Sequence, residues 1–129
     1  RRSILKYGTG DEIEARARKN LERFGDKVEI LKGRSCDVLQ TEKIQSLRGK
    51  VDLVYVDGAH DGDKPFVDAI TTWPLLKTGA VQMWDDINQG DVRACLERFQ
   101  IEFHSCFDTI WRARKSVGLI KRDELCLVN

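Results

Sequence analysis

Proline, histidine and long apolar runs are scarce in this chain, and each shortage excludes something. No hydrophobic stretch approaches the roughly twenty residues that cross a bilayer, and no signal-peptide pattern is visible. There are only two prolines, no internal repeat and no low-complexity tract, so neither a proline-rich linker nor a repeat array is expected. Cys36, Cys95, Cys106 and Cys126 contain no C-x-x-C pair. That argues against a zinc site and gives no disulfide framework. They read as reduced, mostly buried thiols of a cytoplasmic protein. An excess of one charge is also lacking. Lys and Arg number 22 against 21 Asp and Glu, a net +1, so neither nucleic acid nor a membrane surface is expected as a partner. The basic run Arg16, Arg18, Lys19 and Arg23 is interrupted by acids and reads as a solvated helix face.

A length of 129 residues suits one domain, residues 1–129, with one core. The chain begins Arg1-Arg2 rather than with Met, which points to a piece of a longer protein. Residues 3–7 ("SILKY") read as a short strand. Ile13, Ala17, Leu21 and Phe24 then recur at helical spacing, with Thr9–Glu12 or Asp11–Glu14 as a capping box and Gly25 as the stop. "KVEILKG" (27–33) reads as a strand, and a short helix is expected within 41–48. "KVDLVYVDG" (50–58) is nearly continuous in apolar residues, as for a strand covered on both faces of a parallel sheet. A helix over 64–73 follows, with Pro65 in its first turn and Phe66, Ala69, Ile70 and Trp73 inward. "KTG" (77–79) reads as a turn and 80–86 as a buried strand. A helix over 90–100 carries Val92, Cys95, Leu96 and Phe99 inward. The segments "EFHSCF", "TIWRAR" and "VGLIKR" suit a terminal antiparallel hairpin. Alternation of strands and helices closing on a hairpin predicts an α/β fold with a Rossmann-like, doubly wound, mostly parallel sheet.

In such sheets ligands collect beyond the carboxyl ends of the strands. One strand ends in Asp57 and His60, the other in Asp85, Asp86 and Asn88. One strand–helix–strand unit separates them, so the two strands are expected to be neighbours and three carboxylates to share one rim. Clustered acids are tolerated where a divalent cation or a proton compensates them, and an oxygen-rich set suits Mg²⁺, Mn²⁺ or Ca²⁺. The competing reading is that these acids merely cap the helices that follow. His60, in polar "DGAHDGD", is a candidate general base or a plain exposed loop residue. His104 has no assigned role. Trp84 either floors a pocket or, more commonly for such a residue, belongs to the core.

The run "VDLVYVDGAHDGDKPFVDAITTWPLLKTGAVQMWDDIN", preceded by "ARARKNLERFGDKVEILKGRSCDVL", resembles class I S-adenosylmethionine-dependent methyltransferases. It is most similar to those with D-G-x-H after the fourth strand and D-D after the fifth, the catechol and caffeoyl-coenzyme A type of metal-dependent O-methyltransferases. The resemblance covers most of residues 15–88, and the hairpin fits the family's last two strands. It implies a divalent metal at Asp57, Asp85 and Asp86, and a base at His60 where relatives carry lysine. It also implies cofactor contacts from Asp57 and Ser35, and from Gly8, Gly10, Asp11 or Glu12 in the loop after "SILKY", near the cofactor's ribose. The chain departs from the family twice. Arg34 stands where many relatives have an acid, and the first strand with its acid-x-G-x-G-x-G loop is unmatched. "YGTG" is instead the second loop of the sheet. The expected function is therefore methyl transfer from S-adenosylmethionine to a small hydroxylated acceptor, or an inactive fragment of such an enzyme. The alternative is a cofactor-free interaction module that dimerises through an exposed sheet edge. A metal-dependent phosphotransfer or hydrolase domain ranks last, since no late-strand lysine accompanies the acids.

Overall fold

A computed structural model describes residues 9–122. The expected strand at 3–7, Gly8 and Cys126 lie outside the described residues. The chain divides into two units, one ending at Lys32 and the other beginning at Gly33.

In the first unit, helix α1 spans Gly10–Leu21. Of the two expected capping boxes, Thr9–Glu12 forms. The Thr9 hydroxyl accepts from the Glu12 N–H at 3.2 Å, and the Glu12 carboxylate accepts from the Thr9 N–H at 3.4 Å. No residue of 10–27 is buried, so the basic run is a solvated face as expected. Lys32 and Arg18 both reach Glu14, at 2.8 and 2.9 Å, and hold its carboxyl below the usual carboxylate range. A 3₁₀ segment, Glu22–Lys27, continues the chain through Gly25 at φ +57°, so the helix pattern breaks at the glycine that marks it. The strand expected over 27–33 is not formed. Strands are defined by ladder bonds to a neighbour, and among the described residues no strand pairs with this segment.

The second unit opens with two short helices, α2 (Ser35–Val38) and α3 (Glu42–Gln45). Strand β1 (Val51–Val56), helix α4 (Lys64–Thr72), a 3₁₀ turn at Trp73–Leu75 and strand β2 (Leu76–Trp84) follow. Helix α5 (Gly90–Glu102) and the hairpin β3 (Phe107–Arg112) and β4 (Val117–Lys121) complete it. The sheet order is β1-β2-β4-β3. The described fold is thus α/β with a mixed four-stranded sheet. Among the described residues the sheet is mixed rather than mostly parallel: only β1–β2 is parallel, while β2–β4 and β3–β4 are antiparallel. One reason is the same missing ladder, since the 27–33 segment was expected to extend the parallel part. "KTG" is not a turn between elements but lies inside β2. Gly79 (φ +86°) sits where the β1–β2 register slips between Val51↔Leu76 and Leu53↔Val81, so the turn signal survives as a bulge. "EFHSC" belongs to the end of α5 and the turn after it, not to a strand.

The core holds the residues whose spacing placed them there. Phe66, Ala69 and Trp73 meet Val92, Cys95, Leu96 and Phe99 over one face of the sheet, with Ala80, Trp84, Val117 and Leu119 below. Ile70 packs against them half-buried. Burying a side chain such as Phe99 or Leu119 stabilises the fold by about 1.5–3 kcal/mol. Trp73 and Trp84 lie 5.3 and 5.7 Å from the Phe99 ring centre, in edge-on and tilted geometry. Buried Gln82 satisfies its own amide and its neighbour. It donates to the Ala69 carbonyl at 3.0 Å and accepts from the Trp84 indole N–H at 2.8 Å. Trp84 is therefore core, and the pocket-floor reading is dropped. Cys95 and Cys106 are buried as expected, whereas Cys36 is exposed.

Candidate active site

The acids converge because β1 and β2 are adjacent and parallel, so both chains leave the sheet at the same rim. The Asp85 N–H donates to the Val56 carbonyl at 3.1 Å, carrying the pairing one step past the strands. Asp86 then adopts φ +56°, the one left-handed non-glycine among the described residues. Aspartate tolerates that conformation better than most residues. There the turn closes with the Gln89 N–H donating to the Asp86 carbonyl at 2.9 Å.

His60 sits between the two loops. Its Nε2 lies 3.1 Å from Asp86 Oδ2 and 3.7 Å from Asp57 Oδ1. Donor atoms of Asp57, His60 and Asp86 all fall within 4.8 Å of one another. Nε2 is shielded from solvent, yet no hydrogen bond of good geometry reaches it. A shielded nitrogen between two carboxylate oxygens matches the donor set of a divalent cation, or of a proton shared with Asp86. Lys115 Nζ, 3.5 Å from Asp86 Oδ1, offsets part of the negative charge.

Asp85 is not in this trio. Its carboxylate faces Tyr55, whose phenol is pushed above its ordinary range by desolvation and by the charges of Asp85, Asp57 and Asp86. The loop after β1 is tied to α5. Asp91 Oδ2 accepts from the Gly62 N–H at 2.9 Å, and the Cys95 thiol, pushed up by burial, contacts the Gly62 carbonyl at 3.2 Å.

Beside the acids a cleft of about 540 Å³ runs between the start of α2 and the start of α4. Ser35, Cys36, Gly58 and Asp68 are among its lining residues. Ser35 Oγ donates to Asp68 Oδ1 at 2.7 Å. A Cβ on Gly58 would stand 3.0 Å from Asp68 Oδ2, so glycine keeps this wall open. The volume is in the range of small-molecule sites. Gly10, Asp11 and Glu12 lie in the first turn of α1 in the other unit, where Glu12 is engaged in the cap. His104, without an assigned role, is exposed and its Nδ1 lies 3.3 Å from the Ile101 carbonyl.

Residues 5–87, more than half the chain, match the profile of a methyltransferase domain. The chain belongs to this methyltransferase-domain family. A search of curated proteins finds no match. The acid rim falls inside the matched span of the methyltransferase domain, and the hairpin lies beyond it. Four residues at the site escape a reading of the sequence. Tyr55 and Asp68 are hidden in a strand and a helix pattern. Asp91 reads as a first-turn acid, which is the one signal that marks it. Lys115 reaches Asp86 only because the hairpin folds back, and no local pattern encodes that.

Proposed function

We propose that this domain transfers the methyl group of S-adenosylmethionine to a hydroxyl of a small acceptor with the help of a divalent ion. The observation that carries the reading is the convergence of Asp57, His60 and Asp86 at the ends of two parallel strands, within the span that matches a methyltransferase domain. An ion such as Mg²⁺, when bound, supplies Lewis acidity that makes the acceptor hydroxyl a better nucleophile. Asp57 and Asp86 would hold the ion, and His60 Nε2 is placed to take the hydroxyl proton. The cleft lined by Ser35 and Gly58, beside the acids, would hold the cofactor, which supplies the methyl group.

Calorimetric titration of S-adenosylmethionine into the full chain, with and without Mg²⁺, tests this. Binding together with methyl transfer that chelation abolishes is the expected result. Absence of cofactor binding overturns it. The variant His60→Gln separates roles: lost transfer with Mg²⁺ affinity kept makes His60 the base, while loss of both makes it a ligand.

A second reading, a cofactor-free module that pairs with another copy, draws on the outer edge of β1. That edge has no ladder partner among the described residues, and Leu53 and Tyr55 are 54% and 51% exposed. A dimer in sedimentation that binds no cofactor would favour it.

A further inference from the structure

Next to the acid rim the chain gathers charge of the opposite sign. Arg93 of α5 and Arg112 and Arg114 of the hairpin line a cleft of about 250 Å³, together with Ile87, Asn88 and Ala113. Ile87 and Asn88 directly follow Asp86, so this cleft adjoins the acid site through the same loop. Backbone bonds set the segments that carry the three arginines, and all three side chains are exposed. The Ile87 N–H donates to the Lys115 carbonyl at 2.9 Å, pinning the hairpin turn to the loop, and the Ala113 N–H donates to the Ser116 carbonyl at 2.8 Å. Arg93 Nη2 donates to the Asn88 carbonyl at 3.3 Å.

Several other arginines and lysines of this unit reach carboxylates, and buried Lys121 donates to the Trp73 and Leu76 carbonyls. Arg98 has Glu102, Arg122 has Asp108, Lys77 has Asp52 and Lys115 has Asp86. Arg93, Arg112 and Arg114 have no carboxylate partner among the described residues. Three like charges around one concavity repel unless an anion joins them, and guanidinium groups match planar oxyanions in geometry.

We propose that the acceptor carries an oxyanion, a carboxylate or its equivalent, that docks among Arg93, Arg112 and Arg114 while its hydroxyl faces Asp57, His60 and Asp86. This rests on the methyl-transfer reading for the hydroxyl end alone. The site is polarised, acidic on one side and basic on the other, so it orients a molecule with a hydroxyl and an anionic end.

The test is calorimetric titration of 3,4-dihydroxybenzoate and of its neutral isostere 3,4-dihydroxybenzamide into the full chain with Mg²⁺. The benzoate is expected to bind about tenfold tighter, as for a charge-assisted pair. Arg112→Gln and Arg114→Gln together are expected to remove that preference and leave amide affinity and the unfolding midpoint unchanged. Equal affinities, no binding of either probe, or a preference that survives the double variant each overturn the inference. Cofactor titration of the same sample separates the two readings. A benzoate preference lost in the variant, without cofactor binding, keeps the oxyanion cleft and removes methyl transfer. Cofactor binding without a preference does the reverse.

Discussion

β1 and β2 are parallel neighbours that each end in an acidic loop, yet they are held very differently. β2 pairs on both sides, with β1 and β4, and buries Leu76, Ala80, Gln82 and Trp84 under the helices. Among the described residues β1 pairs on one side only, and Leu53 and Tyr55 are half-exposed. The site is therefore built from a rigid half and a tethered half. Asp85 and Asp86 leave a central strand anchored by a buried indole. Asp57 and His60 leave a strand with one described neighbour, and their loop is steadied from outside, by Asp91 and Cys95 of α5. The central strand fixes where the acids stand, and α5 fixes how far the other loop can stray from them.

The contrast can be broken first at its rigid side. Trp84→Ala removes a fully buried ring that packs on Phe99. It is expected to destabilise the domain by about 3–5 kcal/mol, read as a shift in the urea midpoint at constant slope. Gln82→Met keeps the volume but deprives the Trp84 N–H of its acceptor. The expected loss is about 1–3 kcal/mol, the cost of an unsatisfied buried donor. If Gln82→Met were neutral, packing alone would anchor β2 and the amide network would be incidental.

Legibility from sequence divides along the same line. The inward faces of α4 and α5 were readable from spacing, because burial of one helix face is a local periodic pattern. β1 and most of β2 were readable as dense apolar runs, and the acids at their ends as one rim, because one crossover unit fixes two neighbouring strands. The segment 27–33 carries a strand pattern and is no strand, since pairing depends on a neighbour that local composition does not specify. Gly79 carries a turn signal where it makes a bulge, because the same left-handed glycine serves both. At the site, Asp57, His60 and Asp86 were legible as an order of residues. The separation of Asp85 toward Tyr55 was not, because consecutive strand-end residues point to opposite sides. Lys115 and the three arginines depend on the hairpin's return, a tertiary fact.

On the tethered side, Asp91→Ala cuts the bond from the Gly62 N–H to α5. The pair is exposed, so the expected effect is about 0.5–1.5 kcal/mol and local. Amide exchange at Gly62 should quicken by roughly tenfold at most, while protection in β2 stays as it was. Equal loosening of both strands would mean that the two loops move as one body and the contrast is false.

The smallest effect is expected at the outer edge. Leu53→Lys places a charge on a half-exposed position of β1 that no strand covers among the described residues. Exposed sites tolerate such changes to within about 0.5 kcal/mol, and an edge lysine discourages pairing with another strand. Stability by denaturant titration should hardly move, in contrast to the same measurement on Trp84→Ala. A loss beyond about 2 kcal/mol would mean that Leu53 is covered in solution. β1 would then be an interior strand like β2, and the site would have two rigid halves. Concentration dependence of the parent's unfolding would then tell whether the cover comes from a second copy, because only association makes the midpoint depend on concentration.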